Sequence, residues 1–292
     1  MTTISDGITT YLAERQPQQW HRDEVSRYRQ RILGILESEF TVFNFFQSGS
    51  FQHGTAVTPH SDVDYMACLS VTHKTGSSTT ILNKVRDLLK KELVEARDVY
   101  VDRPTVKIEF SGLVAEYEST PAFYERTVGD EVVRQIPASG GAWREAAPEA
   151  HLKFVREVDK KHSGGVRRLA RLLKAWKYEN AVPISSFYLE MRAAEHGMNR
   201  DSLWSLYSLQ HIVNKLVSTE VAAMNDPARL VNRIAPCSAE TNRTIALARL
   251  RTLEKNLIEA NRANDADERW EFNQALQRVW GTTFPYVEAD SA

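Results

Sequence analysis

The hydrophobic pattern of this sequence changes once, near residue 148. Ahead of that point, the short segments 41–46, 63–70 and 105–110 are rich in β-branched and aromatic residues or alternate apolar with polar ones, as strands do. Beyond it, apolar residues recur at helical spacing over the ranges 148–161, 166–178, 185–196, 201–218, 239–263 and 266–280. Strands gathered ahead of a long run of helices predict an α+β fold.

The first part of the chain also carries helical patterns and turns. Helices are predicted near 4–15, over 20–39 after a break at Gln16-Pro17, and over 77–95. A polar turn is predicted at 47–50. The alternating segments 105–110 and 113–118 flank Ser111-Gly112 and predict a β-hairpin.

These patterns predict four sections of the chain. They are N-terminal helices that pack on both lobes (1–39), a mixed α/β lobe (40–137), a helical lobe (138–286) and a mobile polar tail (287–292). The long helix predicted over 20–39 would bridge the two lobes.

Composition excludes several classes of protein. The 292 residues are 42% hydrophobic and 26% charged, which is typical of a globular chain and not of a disordered one. The absence of a long apolar run and of a secretory leader predicts a cytoplasmic protein with no membrane partner. Cys68 and Cys237 form neither a disulfide framework nor a zinc spacing. A net charge of −1 argues against a stable nucleic-acid complex.

Two acidic residues at the start of the second predicted strand are the sharpest local feature. Asp62 and Asp64 are separated by one residue, so on a strand both carboxylates project from the same face. Like charges at that spacing repel unless a cation joins them, and carboxylate oxygens suit Mg²⁺. The alternative is a polar strand end that faces water.

A glycine-serine pair upstream adds weight to the metal interpretation. Gly49 would allow the backbone to approach a phosphate closely, and the hydroxyl of Ser50 could hold a phosphate oxygen. The order Gly49-Ser50, Gly54-Thr55 and then Asp-x-Asp resembles the nucleotidyltransferase signature of the DNA polymerase β superfamily. That resemblance implies that Ser48, Gly49 and Ser50 bind the nucleotide.

A third carboxylate would complete a two-metal site, and three residues are candidates. Glu118 precedes Ser-Thr-Pro-Ala-Phe, which resembles the stretch in which bacterial members of that superfamily keep their third acid. The resemblance implies that Glu118 is the third ligand, with Glu in place of the usual Asp. Glu116 and Glu109 remain candidates, and each of the three is otherwise a solvent-facing strand carboxylate.

The segment 167–190, RRLARLLKAWKYENAVPISSFYLE, resembles a segment of the cGAS/DncV-like nucleotidyltransferases. The resemblance implies that Lys174 meets the triphosphate, that Ser186 binds a phosphate oxygen and that Phe187 stacks on a base. Independently, helical spacing places Arg167, Arg171, Lys174 and Tyr178 on one helix face. That face is either a triphosphate-binding ridge or a solvated basic surface.

Two further stretches resemble the bacterial branch of the same family. They are 140–155, which opens the helical lobe and contains Arg144, and 278–285, RVWGTTFP. Arg144 either reaches the nucleotide or lies on the surface. The resemblance covers roughly residues 25–286.

This resemblance implies a function. A polymerase-β-like lobe and a helical lobe would form a cleft in which nucleoside triphosphates, ATP among them, are joined into a cyclic di- or trinucleotide for anti-phage signalling. Two Mg²⁺ or Mn²⁺ ions would be held by Asp62, Asp64 and Glu118. The alternatives are a template-independent RNA or tRNA nucleotidyltransferase and a degenerate nucleotide-binding sensor.

The C-terminus carries one more expectation. Residues 288–292 are polar and small, end at Ala292, and offer little apolar area to bury. A regulatory partner encoded in the same operon could join this end to another molecule, as in some systems of the family that the chain resembles. The alternative is an ordinary frayed terminus.

Overall fold

The computed structural model describes residues 3–17, 19–111, 116–203 and 205–287, with the backbone alone for 19–22. The chain divides into two compact units. We call them the sheet unit (17–153 and 228–232) and the helical unit (1–16, 154–227 and 233–292).

A seven-stranded mixed sheet forms the frame of the sheet unit. Its strands are β1 (Val42–Ser48), β2 (Val63–Leu69), β3 (Ala96–Asp102), β4 (Thr105–Phe110), β5 (Tyr117–Val128), β6 (Glu131–Pro137) and β7 (Trp143–Ala146). Neighbours follow the order β1-β2-β5-β4-β3, and β6 pairs with both β5 and β7. Only β2 and β5 run parallel among these pairs, so two strands that are distant in sequence lie side by side.

Helices cover one face of this sheet. They are α2 (Gln19–Glu37) and α4 (Ser78–Glu92), while the short α3 (Gly49–His53) follows β1 and α5 (Pro148–Lys161) begins in the sheet unit. Tyr65 of β2 and Tyr117 of β5 are buried in one hydrophobic cluster with Val85 of α4. Side chains alternate along a strand, so Asp64 and Glu118 project from the opposite face.

The helical unit contains the remaining helices. They are α1 (Ile4–Ala13), α6 (Gly165–Glu179), α7 (Ser186–Met198), α8 (Ser205–Ser218), α9 (Glu240–Asp265) and α10 (Arg269–Trp280). Trp280 is buried, and its indole N–H donates to the carbonyl of Leu172 at 3.1 Å. The hydroxyl of Tyr11 donates to the carbonyl of Trp280 at 3.1 Å. These contacts join α10 to α6 and α1.

The α+β class is confirmed, and the helices predicted beyond residue 148 are all present. The turn predicted at 47–50 is wrong, because β1 continues to Ser48 and α3 begins at Gly49. The second hairpin strand was predicted over 113–118, whereas β5 runs from Tyr117 to Val128, and residues 113–115 lie outside the described part of the chain.

Strands β3, β6 and β7 were not predicted. β3 has the sequence ARDVYVD and lies at one edge of the sheet, where most of its side chains remain partly or fully exposed. An edge strand of this kind lacks the clean alternation of apolar and polar residues that identifies a strand with one buried face.

The boundaries of the two units differ from the boundaries of the predicted sections. The predicted N-terminal section 1–39 separates, with α1 in the helical unit and α2 in the sheet unit. The predicted boundary at 138 differs from the observed one after 153, because β7 pairs with β6 and extends the sheet.

The predicted tail begins with a residue that is packed. Val287 is buried, and its backbone N–H and carbonyl each form a 2.8 Å hydrogen bond with the Asn273 amide. The rest of the predicted tail, residues 288–292, lies outside the described residues.

Within the ranges that the structure describes, no helix combines the length and the apolar character that a membrane crossing needs. Cys68 and Cys237 are both free thiols.

Candidate active site

Strand register brings four polar residues into one row across the sheet. Ser48 on β1 is the register partner of Asp64 on β2, and Asp64 is the partner of Glu118 on β5. Glu118 is in turn the partner of Lys107 on β4. The row lies on the face opposite the hydrophobic cluster that contains Tyr65 and Tyr117.

Gly49 is required by the position of Asp64. Its φ of +63° lies in the left-handed region, which favours glycine. A β-carbon added at Gly49 would overlap the carboxylate of Asp64. Gly54 ends α3 with a φ of 71°, and the Thr55 N–H then donates to the carbonyl of Ser50 at 2.9 Å. The two glycines of the motif therefore lie at the ends of the short helix α3, and Gly49 lies against the Asp64 carboxylate.

Lys107 lies among the carboxylates, and sequence analysis missed it. Its Nζ is 3.1 Å from Glu118 Oε1, 3.1 Å from Glu116 Oε2 and 3.5 Å from Asp62 Oδ2. Its side chain is only 16% exposed. The signal was present in the sequence: Lys107 is a polar position of the alternating segment TVKIEF, which was predicted to pair with the strand that carries Glu118.

Burial and the crowding of charges alter the ionisation of this group. Burial, followed by the charges of Asp64 and Asp62, raises the pKa of Glu118 to about 8. Burial also raises the pKa of Asp62, against the opposing charge of Lys107. Burial works against the charged form of Lys107, but Asp62 and Glu118 outweigh it and raise the pKa of Lys107. Full ionisation of Asp62, Asp64 and Glu118 would place more negative charge here than the single ammonium of Lys107 neutralises, and the raised pKa values reflect that excess.

The donor chemistry of the site fits a divalent cation. Asp62, Asp64 and Glu118 offer hard carboxylate oxygens, which Mg²⁺ and Mn²⁺ prefer, and their crowding is relieved by added positive charge. In the part of the chain that the structure describes, no three His, Cys, Asp or Glu side chains are grouped closely enough to hold an ion as they stand. The ammonium of Lys107 lies between Asp62 and Glu118 in this conformation.

The structure separates the three candidates for the third acid. Glu118 is the register neighbour of Asp64, and Glu116 reaches the same cluster through Lys107. Glu109 instead accepts hydrogen bonds from Arg97 and from the Tyr100 hydroxyl, the latter at 3.1 Å. Arg97 lowers the pKa of Glu109, which marks a carboxylate held in an ion pair on the β3–β4 edge.

Helix α6 does not present the predicted basic face to solvent. Lys174 is 1% exposed, and its Nζ lies 2.7 Å from Glu190 Oε2 on α7. Arg171 is also buried and donates to the carbonyl of Leu12, and burial lowers its pKa to about 10. The spacing was correct, but these cations are internal partners within the helical unit.

A different lysine lies beside Ser186. Lys177 Nζ donates to Ser186 Oγ at 2.8 Å, and the Tyr178 hydroxyl lies 3.3 Å from the same oxygen. Ser185 caps α7, because its hydroxyl accepts from the N–H of Tyr188. Phe187 follows at the first turn with 38% of its surface exposed. Lys177, which sequence analysis did not single out, thus contacts the predicted phosphate-binding serine directly.

Arg144 lies on β7 as the register partner of Ile136. Ile136 packs with Ala122 on the face that bears Glu118. Arg144 is exposed on this face but lies level with Ala122, about 13 Å along β5 from Glu118. The structure does not bring it into contact with the acids.

The sequence model of the Second Messenger Oligonucleotide or Dinucleotide Synthetase domain family matches residues 1–159. A search of curated protein sequences found no match.

Similar folds occur among solved structures. CdnC from Escherichia coli MS115-1, solved with ATP, superimposes with a TM-score of 0.76 at 18% identity, over 96% of this chain and 98% of that one. The Bradyrhizobium diazoefficiens CD-NTase CdnG with GTP gives 0.71 at 14% identity, over 96% and 95%. The Vibrio cholerae cyclic AMP-GMP synthase DncV, solved with a linear intermediate, gives 0.64 at 14% identity, over 85% and 72%. At these identities the likeness shows the fold.

Proposed function

This chain belongs to the family of Second Messenger Oligonucleotide or Dinucleotide Synthetase domains, and we propose that it joins nucleoside triphosphates into a cyclic di- or trinucleotide. In each step a ribose hydroxyl attacks an α-phosphorus and pyrophosphate leaves. The observation that carries the proposal is the register of Asp64 with Glu118 on parallel strands, with Gly49 at the start of α3 against the Asp64 carboxylate.

We assign Asp62, Asp64 and Glu118 to the binding of two Mg²⁺ or Mn²⁺ ions. Such ions, when bound, lower the pKa of an attacking hydroxyl and offset the charge of the leaving pyrophosphate. Gly49 keeps the junction of β1 and α3 close to Asp64, and Ser48 and Ser50 present hydroxyl and N–H groups to phosphate oxygens. Lys107 balances the charge of the acids before the cations arrive.

In the helical unit we assign phosphate binding to Ser186 and Lys177, which already share a hydrogen bond, and base stacking to Phe187. We retain Lys174 and Arg144 as proposed nucleotide-binding residues because of the family resemblance. For Lys174 the ion pair with Glu190 must open before it can meet a phosphate.

The relatives support the choice of substrates and a partner. Solved structures of relatives contain ATP or GTP, so we propose ATP as one substrate of this chain. The E. coli CdnC has also been solved in complex with HORMA, which supports a regulatory partner here. We further propose that the product acts as a signal in anti-phage defence within the cytoplasm.

Incubation of the purified protein with labelled nucleoside triphosphates and Mg²⁺ or Mn²⁺ tests this function. After phosphatase treatment, a cyclic product remains resistant, whereas linear oligonucleotides lose their terminal phosphates. A resistant product from wild type, absent from D62N/D64N, supports the synthase. Extension of an added RNA would indicate the template-independent transferase, and binding without turnover would indicate a sensor.

A further inference from the structure

The end of α7 and the adjoining surface of α8 border two neighbouring cavities in the helical unit. Their volumes are about 300 and 370 Å³. They share the side chains of His196, Asn199, Arg200 and His211. We call them together the α7–α8 cavity. Ser186 begins α7 and Arg200 follows its end, roughly 20 Å away along the helix, so the cavity is separate from the residues assigned to nucleotide binding.

Positive charge is in excess around this cavity. Arg192 Nη1 and Lys215 Nζ share one carboxylate oxygen of Glu195, at 2.9 and 3.1 Å. Lys161 Nζ lies 3.8 Å from a carboxylate oxygen of Asp201. The Arg200 guanidinium has no hydrogen bond or ion pair with any residue in the described ranges. Four cations and two carboxylates therefore lie around the cavity. Among them, Arg200 is the cation whose charged group has no partner in the described ranges and is available to a ligand.

Two imidazoles complete the lining. The rings of His196 and His211 stack with centroids 6.2 Å apart. Burial, followed by the charges of Arg200, His211, Lys215 and His162, lowers the pKa of His196 to about 4. An anion in the cavity would offset those charges, so its binding and the protonation of His196 are coupled.

We propose that the α7–α8 cavity binds a small molecule through a phosphate group. Arg200 and Lys215 contact the phosphoryl oxygens, since guanidinium and ammonium groups are the usual protein partners of phosphate. His211 and Asn199 line both parts of the cavity and supply further N–H donors. A cavity of this size lies at the lower end of the range for ligand sites and leaves room for an organic group beside the phosphate. The proposed ligand class is therefore a small phosphomonoester.

Calorimetric titration with inorganic phosphate and with ribose 5-phosphate tests the proposal, at ionic strength matched with NaCl. The test variant is R200Q/K215Q, and the control is R251Q/K255Q, which removes the same charge from an exposed face of α9. We expect wild type and control to bind alike, and R200Q/K215Q to bind at least about tenfold more weakly. Equal affinity of all three proteins, or no binding of either probe at millimolar concentration, would overturn the proposal.

The two probes separate the sources of the phosphate group. Tighter binding of ribose 5-phosphate supports a phosphomonoester, and equal binding of both probes supports a site for the phosphoryl group alone. A second readout is the NMR titration of the His196 imidazole, assigned with H196Q. Saturating ribose 5-phosphate should raise the pKa of His196 by about one unit or more. An unchanged pKa would show that the anion does not occupy this cavity.

Discussion

At the scale of single residues, Gly49 shows how tightly the site is built. Its left-handed backbone favours glycine, and the Asp64 carboxylate occupies the space of a side chain. A glycine in a Gly-Ser pair suggests a phosphate-binding turn, but only the structure shows that the same glycine also makes room for an acid.

Substitution of Gly49 by alanine tests this constraint. The strained backbone should lower the free energy of unfolding by about 1–2 kcal/mol, and displacement of Asp64 should abolish product formation. Gly129 is the matched control, because its φ is +59° and nothing lies within 4 Å of an added β-carbon. G129A should lose similar stability, measured by denaturant unfolding, and keep its activity. Full activity in G49A would refute the close approach.

The pKa of Glu118 predicts a dependence of stability on pH. Because the folded-state pKa of about 8 exceeds the usual 4.5, the folded protein binds a proton more tightly than the unfolded chain. Stability should therefore fall as the pH rises from about 5 to 8 without divalent cations. E118Q should flatten this decline in thermal melts across the pH range. A decline of the same size in E118Q would locate its origin elsewhere.

At the scale of elements, the pairing of β2 with β5 assembles the site, and this is where prediction from sequence stops. The acids Asp62 and Asp64 and the serine of the turn could be found by spacing alone. The choice of Glu118 needed family resemblance, because local alternation favoured Glu116 and Glu118 equally. Lys107 required knowledge that β4 pairs with β5 in the register that faces Glu118.

Lys107 links strand β4 to the acids, so its substitution should change the stability of the whole cluster. K107M should lower the free energy of unfolding by roughly 1–3 kcal/mol without divalent cations, because it leaves buried carboxylates unpaired. Added Mn²⁺ should stabilise K107M more than wild type in thermal melts. The control K90M breaks the exposed pair with Asp98 and should cost less than about 1 kcal/mol. Equal Mn²⁺ shifts in K107M and wild type would contradict the role given to Lys107.

Helix α6 carries two lysines whose roles should separate. K174M breaks the buried pair with Glu190 and should destabilise the protein by about 3–5 kcal/mol. K177M leaves the core intact and should raise the KM for nucleoside triphosphates about tenfold, through loss of a charge-assisted contact. Steady-state kinetics and thermal melts measure both effects. A normal KM in K177M would remove it from the nucleotide site.

At the scale of the whole molecule, sequence pattern predicted the α+β class and the helices beyond residue 148, but not strands β3, β6 and β7. It did not predict where the chain divides, because β7 reads as part of the helical region and joins the sheet only by pairing with β6. It also took the cations of α6 for a surface, since helical spacing identifies a face but not what the face packs against.

The carboxylate row across β2 and β5 is the proposed site of nucleotidyl transfer. The most direct test compares phosphatase-resistant product from wild type, E118Q and the control E109Q, with melting temperatures to verify folding. E118Q should make less than about 1% of the wild-type product, because it removes a charge that the reaction needs. E109Q should retain wild-type activity, because Glu109 is held by Arg97 on the sheet edge. Wild-type activity in E118Q, with loss in E109Q, would contradict the account.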